Sequence, residues 1–231
     1  MASINESTLA VVLHQRAFRE SSQILSLFTE RDGRVDVTIR ASRAMKTKNL
    51  SKPLPFTQFR VSWAGRGQLP YLSSCETQTG LSLQASSLYC GMYLNELLYR
   101  LLPKHIPEPS LYQQYWLALQ KLALANCDIE SCLRVFEWQL LASLGYGLSL
   151  HDTADGLPLA AERSYSYIPE LGLVLGEAGV IVASGADFLS VADGQFRREA
   201  GCNMALAKQL MRYVLNRQLG GKPLLSRQLF Q

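Results

Sequence analysis

The sequence predicts an α+β fold, and three observations predict it. Over roughly the first eighty residues apolar side chains recur mostly at every second position in short runs, and beyond them the spacing switches to three and four. Charge divides the chain in nearly the same place. Positions 1 to 70 hold eleven Lys and Arg against five Asp and Glu, a balance of +6, whereas the remaining 161 residues hold twelve against fourteen. A basic β module joined to a near-neutral remainder offers an electrostatic surface to a polyanion, with nucleic acid the first candidate.

The strands come first. Leu9, Val11 and Leu13 alternate with Ala10, Val12 and His14, and Ile24 to Phe28 and Val35 to Ile39 form two further apolar runs. Between those two runs lies Glu30-Arg31-Asp32-Gly33, a tight reversal in which Gly33 supplies the positive φ that a hairpin turn requires. A polar segment, Arg40 to Lys52, then carries Arg40, Arg43, Lys46, Lys48 and Lys52 with no acid among them. Phe56 to Trp63 and Gln68 to Cys75 follow as two more strands around Gly65-Arg66-Gly67. About five strands in this length is the strand count of a small closed barrel such as an OB-fold, although the count by itself does not establish closure.

The helices follow. Leu88, Met92, Asn95, Leu98 and Leu102 mark a first stripe that Pro103 ends, and a second helix begins near Ser110 with Leu111, Tyr115, Ala118, Leu122 and Ala125 on its buried face. A third stripe, Ile129, Leu133, Phe136, Leu140 and Leu144, runs into Gly145 and Gly147. These stripes need one another to be buried, which argues for a helical domain. Residues 151 to 201 read as a small irregular β insertion, with Tyr165, Tyr167, Leu171 to Leu175 and Val180 to Val182 in short strands separated by glycines. The last helix starts after Asn203 as N-cap and carries Met204, Ala207, Leu210, Met211, Val214 and Leu215, with Lys208, Arg212 and Arg217 opposite, before Gly220-Gly221 and Pro223 stop it. The division expected is thus 1–80 and 81–231, the second part holding the 151–201 insertion.

Composition excludes several classes. No apolar run approaches the ~20 residues of a membrane-spanning helix. Met1 to Leu9 has no basic stretch followed by an apolar core, so no signal peptide is expected, and five scattered cysteines point to a reducing, cytoplasmic setting. Three scattered histidines come with no G-x-S-x-G, P-loop or H-E-x-x-H motif, so the chain reads as a non-enzyme. Glu96 and Glu137 are read as acceptors for structural groups, such as Arg100 one turn beyond Glu96.

The chain resembles the RecO family of bacterial recombination mediators. The resemblance rests on Val12-Leu13-His14 with Glu20-Ser21-Ser22, on Phe28-Thr29-Glu30 with Gly33-Arg34-Val35, and on Pro55-Phe56-Thr57. It continues through Tyr93-Leu94-Asn95-Glu96-Leu97, the Arg134 to Glu137 segment before Leu144-Gly145-Tyr146-Gly147, and Leu219-Gly220-Gly221-Lys222-Pro223-Leu224 with Ser226-Arg227. What it implies is an N-terminal OB-fold with a helical domain behind it, binding of single- and double-stranded DNA, and annealing of complementary strands. Work with RecR, assistance to RecA in displacing the single-strand binding protein SSB, and a nucleoid-associated cytoplasmic location follow from the same likeness.

Arg34, Arg40, Arg43, Lys46, Lys48, Lys52 and Arg66 are the DNA-contact candidates, because they sit on or beside turns where long side chains can converge. The ordinary alternative for the basic segment is a solvated surface. Phe56, Phe59 and Trp63 are near enough to stack on bases, but Phe59 and Trp63 read more readily as barrel core. A surface of Lys and Arg that grips the backbone and leaves base edges free suits annealing and predicts binding without sequence preference.

For the acidic, aromatic C-terminal tail of SSB that the resemblance implies, Arg134 with Phe136 and the Lys208 and Arg212 face of the last helix are the candidates. Many relatives carry paired cysteines for zinc after the L-G-Y segment. This chain has His151-Asp152-Thr153-Ala154-Asp155-Gly156 there and only Cys202 beyond, so no zinc or other cofactor is expected. A protein-only adaptor that meets SSB's tail with its basic face is the competing reading.

Overall fold

The computed structural model describes residues 6–40, 51–65, 67 and 69–230. Arg43, Lys46, Lys48 and Arg66 therefore lie outside the described residues. The chain falls into two compact units, Met1–Cys127 with Leu224–Gln231, and Asp128–Pro223.

The first unit is built on a closed five-stranded barrel. Strands β1 (Thr8–Phe18), β2 (Ser22–Thr29), β3 (Gly33–Arg40), β4 (Thr57–Ala64) and β5 (Tyr71–Gly80) run in the order β1-β2-β3-β5-β4, and β4 closes on β1. This is the OB-type arrangement. Alternation decides what is inside. Leu25, Leu27, Val35, Val37, Ile39, Phe59 and Val61 fill the barrel, and Trp63 packs against them half-buried. A bulge between Val12 and His14 reverses the alternation along β1, so His14, Arg16 and Phe18 face outward beyond it.

At the β2–β3 turn Gly33 takes φ +66°, and a Cβ there would stand 1.9 Å from the Ile106 carbonyl oxygen. Only glycine fits both constraints. The backbone at 104–106 can then run beside β3, where the His105 N–H donates to the Arg34 carbonyl at 3.0 Å.

Two helices cover part of the barrel's outer face. Helix α1 (Ala85–Leu101) stops because Leu102 precedes Pro103 and is held extended, at ψ 129°. Helix α2 (Pro109–Leu122) starts on a proline at its first position, where the missing N–H costs nothing. Tyr112 and Tyr115 of α2 pack their rings on Phe28 of β2 at 5.4 and 6.0 Å. Strand β5 ends at Gly80 and α1 begins at Ala85, while the compact unit continues through these helices. Met92 and Ala125, read as members of buried stripes, are exposed; Ala125 lies past the end of α2.

The chain end returns to this unit. The 3-10 turn Leu225–Phe230 docks on α1, where the Glu96 carboxylate accepts from the N–H groups of Leu225 and Ser226 at 3.0 and 2.8 Å and from the Ser226 hydroxyl at 2.6 Å. Arg100 also reaches Glu96, at 3.5 Å.

The second unit holds α3 (Ile129–Ser143), a three-stranded sheet of β6 (Ser164–Ile168), β7 (Gly172–Leu175) and β8 (Ile181–Ser184) in the order β7-β6-β8, then α4 (Gly185–Ala192) and α5 (Met204–Gln218). Asp128, Ser184 and Asn203 cap the three helices by accepting from Ser131, Asp187 and Leu206 N–H groups. Asn203 also donates to Asp187 at 2.8 Å, fastening the start of α5 to the first turn of α4.

The buried face of α3 is Cys132, Arg134, Phe136, Glu137, Leu140 and Leu141. It is rotated from the expected apolar stripe, because it includes an ion pair. Arg134 Nη2 donates to Glu137 Oε1 at 2.6 Å with 6% and 0% of the two side chains exposed. The residues after α3 form a turn in which Thr153 donates to Asp155 at 2.6 Å, and His151 lies 3.1 Å from Asp193. Among the described residues no three His, Cys, Asp or Glu side chains gather as metal ligands.

Candidate nucleic-acid interface

Strand register determines where the basic side chains can meet. Phe18 pairs with Ser22 and Ser22 with Arg40, so the β1–β2 hairpin and the end of β3 lie together. Thr38 pairs in parallel with Tyr71, and Ala64 pairs with Tyr71, so the β4–β5 connection arrives at the same end of the barrel. In OB-folds these two connections are the ones that flank bound oligonucleotides.

The candidates separate on this frame. Arg40 is exposed at the hairpin end and stands where the 41–50 segment leaves β3. Lys52 is also exposed, next to Ser51, whose N–H donates to the Cys75 carbonyl at 2.7 Å and so fixes it beside the middle of β5. Arg34 belongs to the opposite end. Its Nε donates to the Leu102 carbonyl at 2.9 Å and its guanidinium lies 5.4 Å over the Tyr99 ring, so it fastens α1 to the barrel and is only half-exposed.

Register brings two further cations, Arg16 and Arg19, to the end of the barrel that holds Arg40. Arg16 pairs across β1–β2 with Ile24, two residues from Phe18, and Arg19 occupies the hairpin turn at φ +54° with its guanidinium 5.1 Å over the Phe18 ring. Both are exposed, and Glu20 is the acid in the same turn. More than twenty residues separate Arg16 from Arg40 in the chain, so no local charge run announces the cluster; the hairpin between them was the available signal. Arg60, exposed on β4, is matched by Glu76 across the strand pair. Lys104 is held by Asp36 at 2.8 Å. Burial raises the Asp36 pKa, but hydrogen bonds from Lys104 and Ser26 outweigh it and the carboxyl ends below its usual range.

The four tail candidates are likewise divided. Arg134 and Phe136 are 5% and 1% exposed, the first engaged with Glu137 and the second in the core, so neither presents a surface to a peptide. Lys208 and Arg212 are exposed on α5, and Lys208 Nζ stands 3.8 Å from Glu130, which also pairs with Arg198. Elsewhere in this unit a surface cavity of about 330 Å³ is lined by Tyr146, Tyr167, Leu171, Tyr213 and Arg217, with Glu170 paired to Arg217. Its lining mixes tyrosine rings with polar groups, and its cation, Arg217, is already engaged by Glu170.

No described helix is long and apolar enough to cross a membrane. The family model described as Recombination protein O N terminal matches residues 1–80, and that described as Recombination protein O C terminal matches residues 83–228. The chain is 40% identical over 224 residues to the DNA repair protein RecO of Methylococcus capsulatus, covering 96% of this chain and 91% of the relative. It is 39% identical over 222 residues to DNA repair protein RecO of Pseudomonas aeruginosa, covering 95% and 92%, and 39% identical over 225 residues to that of Coxiella burnetii, covering 95% of each. A barrel of OB type, an outward cluster of arginines at its hairpin end and family agreement along both halves lead to one conclusion: the chain belongs to the RecO family of DNA repair proteins.

Proposed function

We propose that this protein is a recombination mediator whose barrel binds DNA at its hairpin end, through Arg16, Arg19 and Arg40, with Arg43, Lys46, Lys48 and Arg66 as further candidates from the sequence. The observation that carries the reading is the register that aligns Phe18, Ser22 and Arg40, because it places cations from two separate stretches of sequence on one end of the barrel. Arginine contacts to phosphate release counterions whatever the base sequence, so binding is sequence-independent and covers single and double strands. Two strands held by their backbones lose much of their mutual repulsion and keep their pairing edges free, which is what annealing needs. Lys52 extends the same backbone contact along β5, whereas Arg34 fastens α1 to the opposite end of the barrel.

Work with RecR, and loading of RecA onto SSB-coated DNA, complete the proposal on the strength of family membership. The tail of SSB, aromatic and acidic, fits the cavity beside Arg217 better than the buried Arg134 and Phe136, with Lys208 and Arg212 supplying charge on the same helix. The protein-only adaptor is separated by one experiment. Reversing Arg16, Arg19 and Arg40 to Glu abolishes oligonucleotide binding and annealing if the barrel end is the DNA site. Unchanged binding and annealing assign the basic face to acidic proteins instead.

A further inference from the structure

Two rows of side chains cross the outer face of the barrel at its hairpin end. One row is Arg16 of β1, Ile24 of β2, Thr38 of β3 and Tyr71 of β5; the next is Phe18, Ser22 and Arg40. Paired residues in adjacent strands share a face, and residues two apart on one strand do so too. All seven therefore point to the outward side of the barrel, where Ile24 is buried and the other six are exposed or partly exposed. The inward neighbours confirm the side, since Leu25, Val37, Ile39 and Leu72 lie in the barrel core.

This surface carries aromatic rings as well as charge. Tyr71 is 44% exposed, Phe18 is half-exposed, and neither belongs to the core cluster. Three inter-strand steps of about 4.8 Å and one row of offset put the two rings roughly 15 Å apart along the sheet. Arg40 lies between them in strand order, Arg16 sits one row from Phe18, and the Arg19 guanidinium stands 5.1 Å over the Phe18 ring. A ring with a cation beside it is the unit that takes a nucleotide, the base on the π-face and the phosphate on the guanidinium.

We propose that Phe18 and Tyr71 are stacking platforms for bases of a single strand, and that they make this face prefer single-stranded over duplex nucleic acid. The proposal rests on the reading of the hairpin end as the DNA site and names what that site recognises. A duplex keeps its bases stacked on one another and offers these rings nothing, so it is held by the arginines alone. Stacking uses the face of a base and leaves its Watson–Crick edge open, so a strand held this way still pairs with its complement.

The test is equilibrium binding of wild type, Tyr71→Ala, Phe18→Ala and Tyr71→Trp to a mixed-sequence single strand, the same backbone with abasic sites, and a duplex, at several salt concentrations. Each alanine variant weakens single-strand binding by about 5- to 150-fold with the salt slope unchanged. Duplex and abasic affinities stay as in wild type, and Tyr71→Trp retains the single-strand affinity. Phe18→Leu keeps the apolar bulk without the ring, so if Phe18→Ala does not fold, Phe18→Leu must show the same selective loss. Equal losses on single strand and duplex, no loss, or an abasic strand that binds as tightly as the normal one overturns the stacking assignment while DNA binding stands. A wild type that binds no nucleic acid removes both readings together.

Discussion

Thr38 of β3 and Tyr71 of β5 meet across a parallel step of the barrel, where the Thr38 N–H and hydroxyl both donate to the Pro70 carbonyl, at 2.8 and 3.2 Å. This is where the β4–β5 connection is fixed to the end of β3. Thr38→Val removes the hydroxyl bond but leaves the carbonyl its backbone donor. A loss of only about 0.5 to 1.5 kcal/mol in urea unfolding is expected.

A larger effect is expected at Asn95. Its amide donates to the Val12 carbonyl at 3.3 Å, beside the β1 bulge, and its oxygen accepts from the Tyr115 hydroxyl at 2.6 Å. All three residues are buried. Asn95→Ala removes the acceptor of the Tyr115 hydroxyl and the donor to Val12 at once, a cost of about 2 to 5 kcal/mol, whereas Tyr115→Phe costs about 1 to 3 kcal/mol. Chemical denaturation of the two variants checks the order.

Arg134 and Glu137 face one another inside the second unit, so removing Glu137 takes the carboxylate from a buried guanidinium. Glu137→Ala destabilises by about 3 to 5 kcal/mol, while replacing both residues by apolar ones of similar size costs far less. The double variant is also informative about binding. It retains affinity for an acidic aromatic peptide, measured by titration, whereas Arg217→Ala loses it.

Acid lowers stability through identifiable groups. Burial raises the Glu96 pKa, but bonds from Ser226, Leu225 and Arg100 outweigh it and hold the carboxyl below the usual carboxylate range, and Asp36 is depressed in the same way by Lys104 and Ser26. A depressed carboxyl pKa contributes stability that is complete above the unfolded-state values, near 4, and is lost as pH falls through the folded-state values. Melting temperature is therefore flat with respect to these two groups above about pH 5 and falls below it. Glu96→Gln and Asp36→Asn each lower the plateau and flatten the acid limb.

The barrel was legible because its strands alternate, and Gly33 and Asn203 carry turn and cap chemistry that is readable one residue at a time. What periodicity could not supply was the Val12–His14 bulge, which turns His14, Arg16 and Phe18 outward although the chain pattern continues. The buried face of α3 escaped for a related reason, since a charged pair occupies positions that apolar spacing assigns to solvent. Helix α4 is only eight residues long, yet Ser184 with Asp187 three residues on is a readable cap signal. The arginine cluster at the hairpin end depends on register between strands, and register between distant segments is a property of the folded sheet.

DNA held by the arginines at the hairpin end of the barrel is held through its phosphates, so its affinity must follow salt. Fluorescence anisotropy of a labelled mixed-sequence single strand is measured from low to high salt with wild type and with Arg16, Arg19 and Arg40 changed to Ala. Each phosphate contact contributes roughly −0.7 to the log–log slope, so the triple variant binds more weakly at low salt with a slope shallower by about 2. A variant with wild-type affinity and wild-type slope would contradict the assignment.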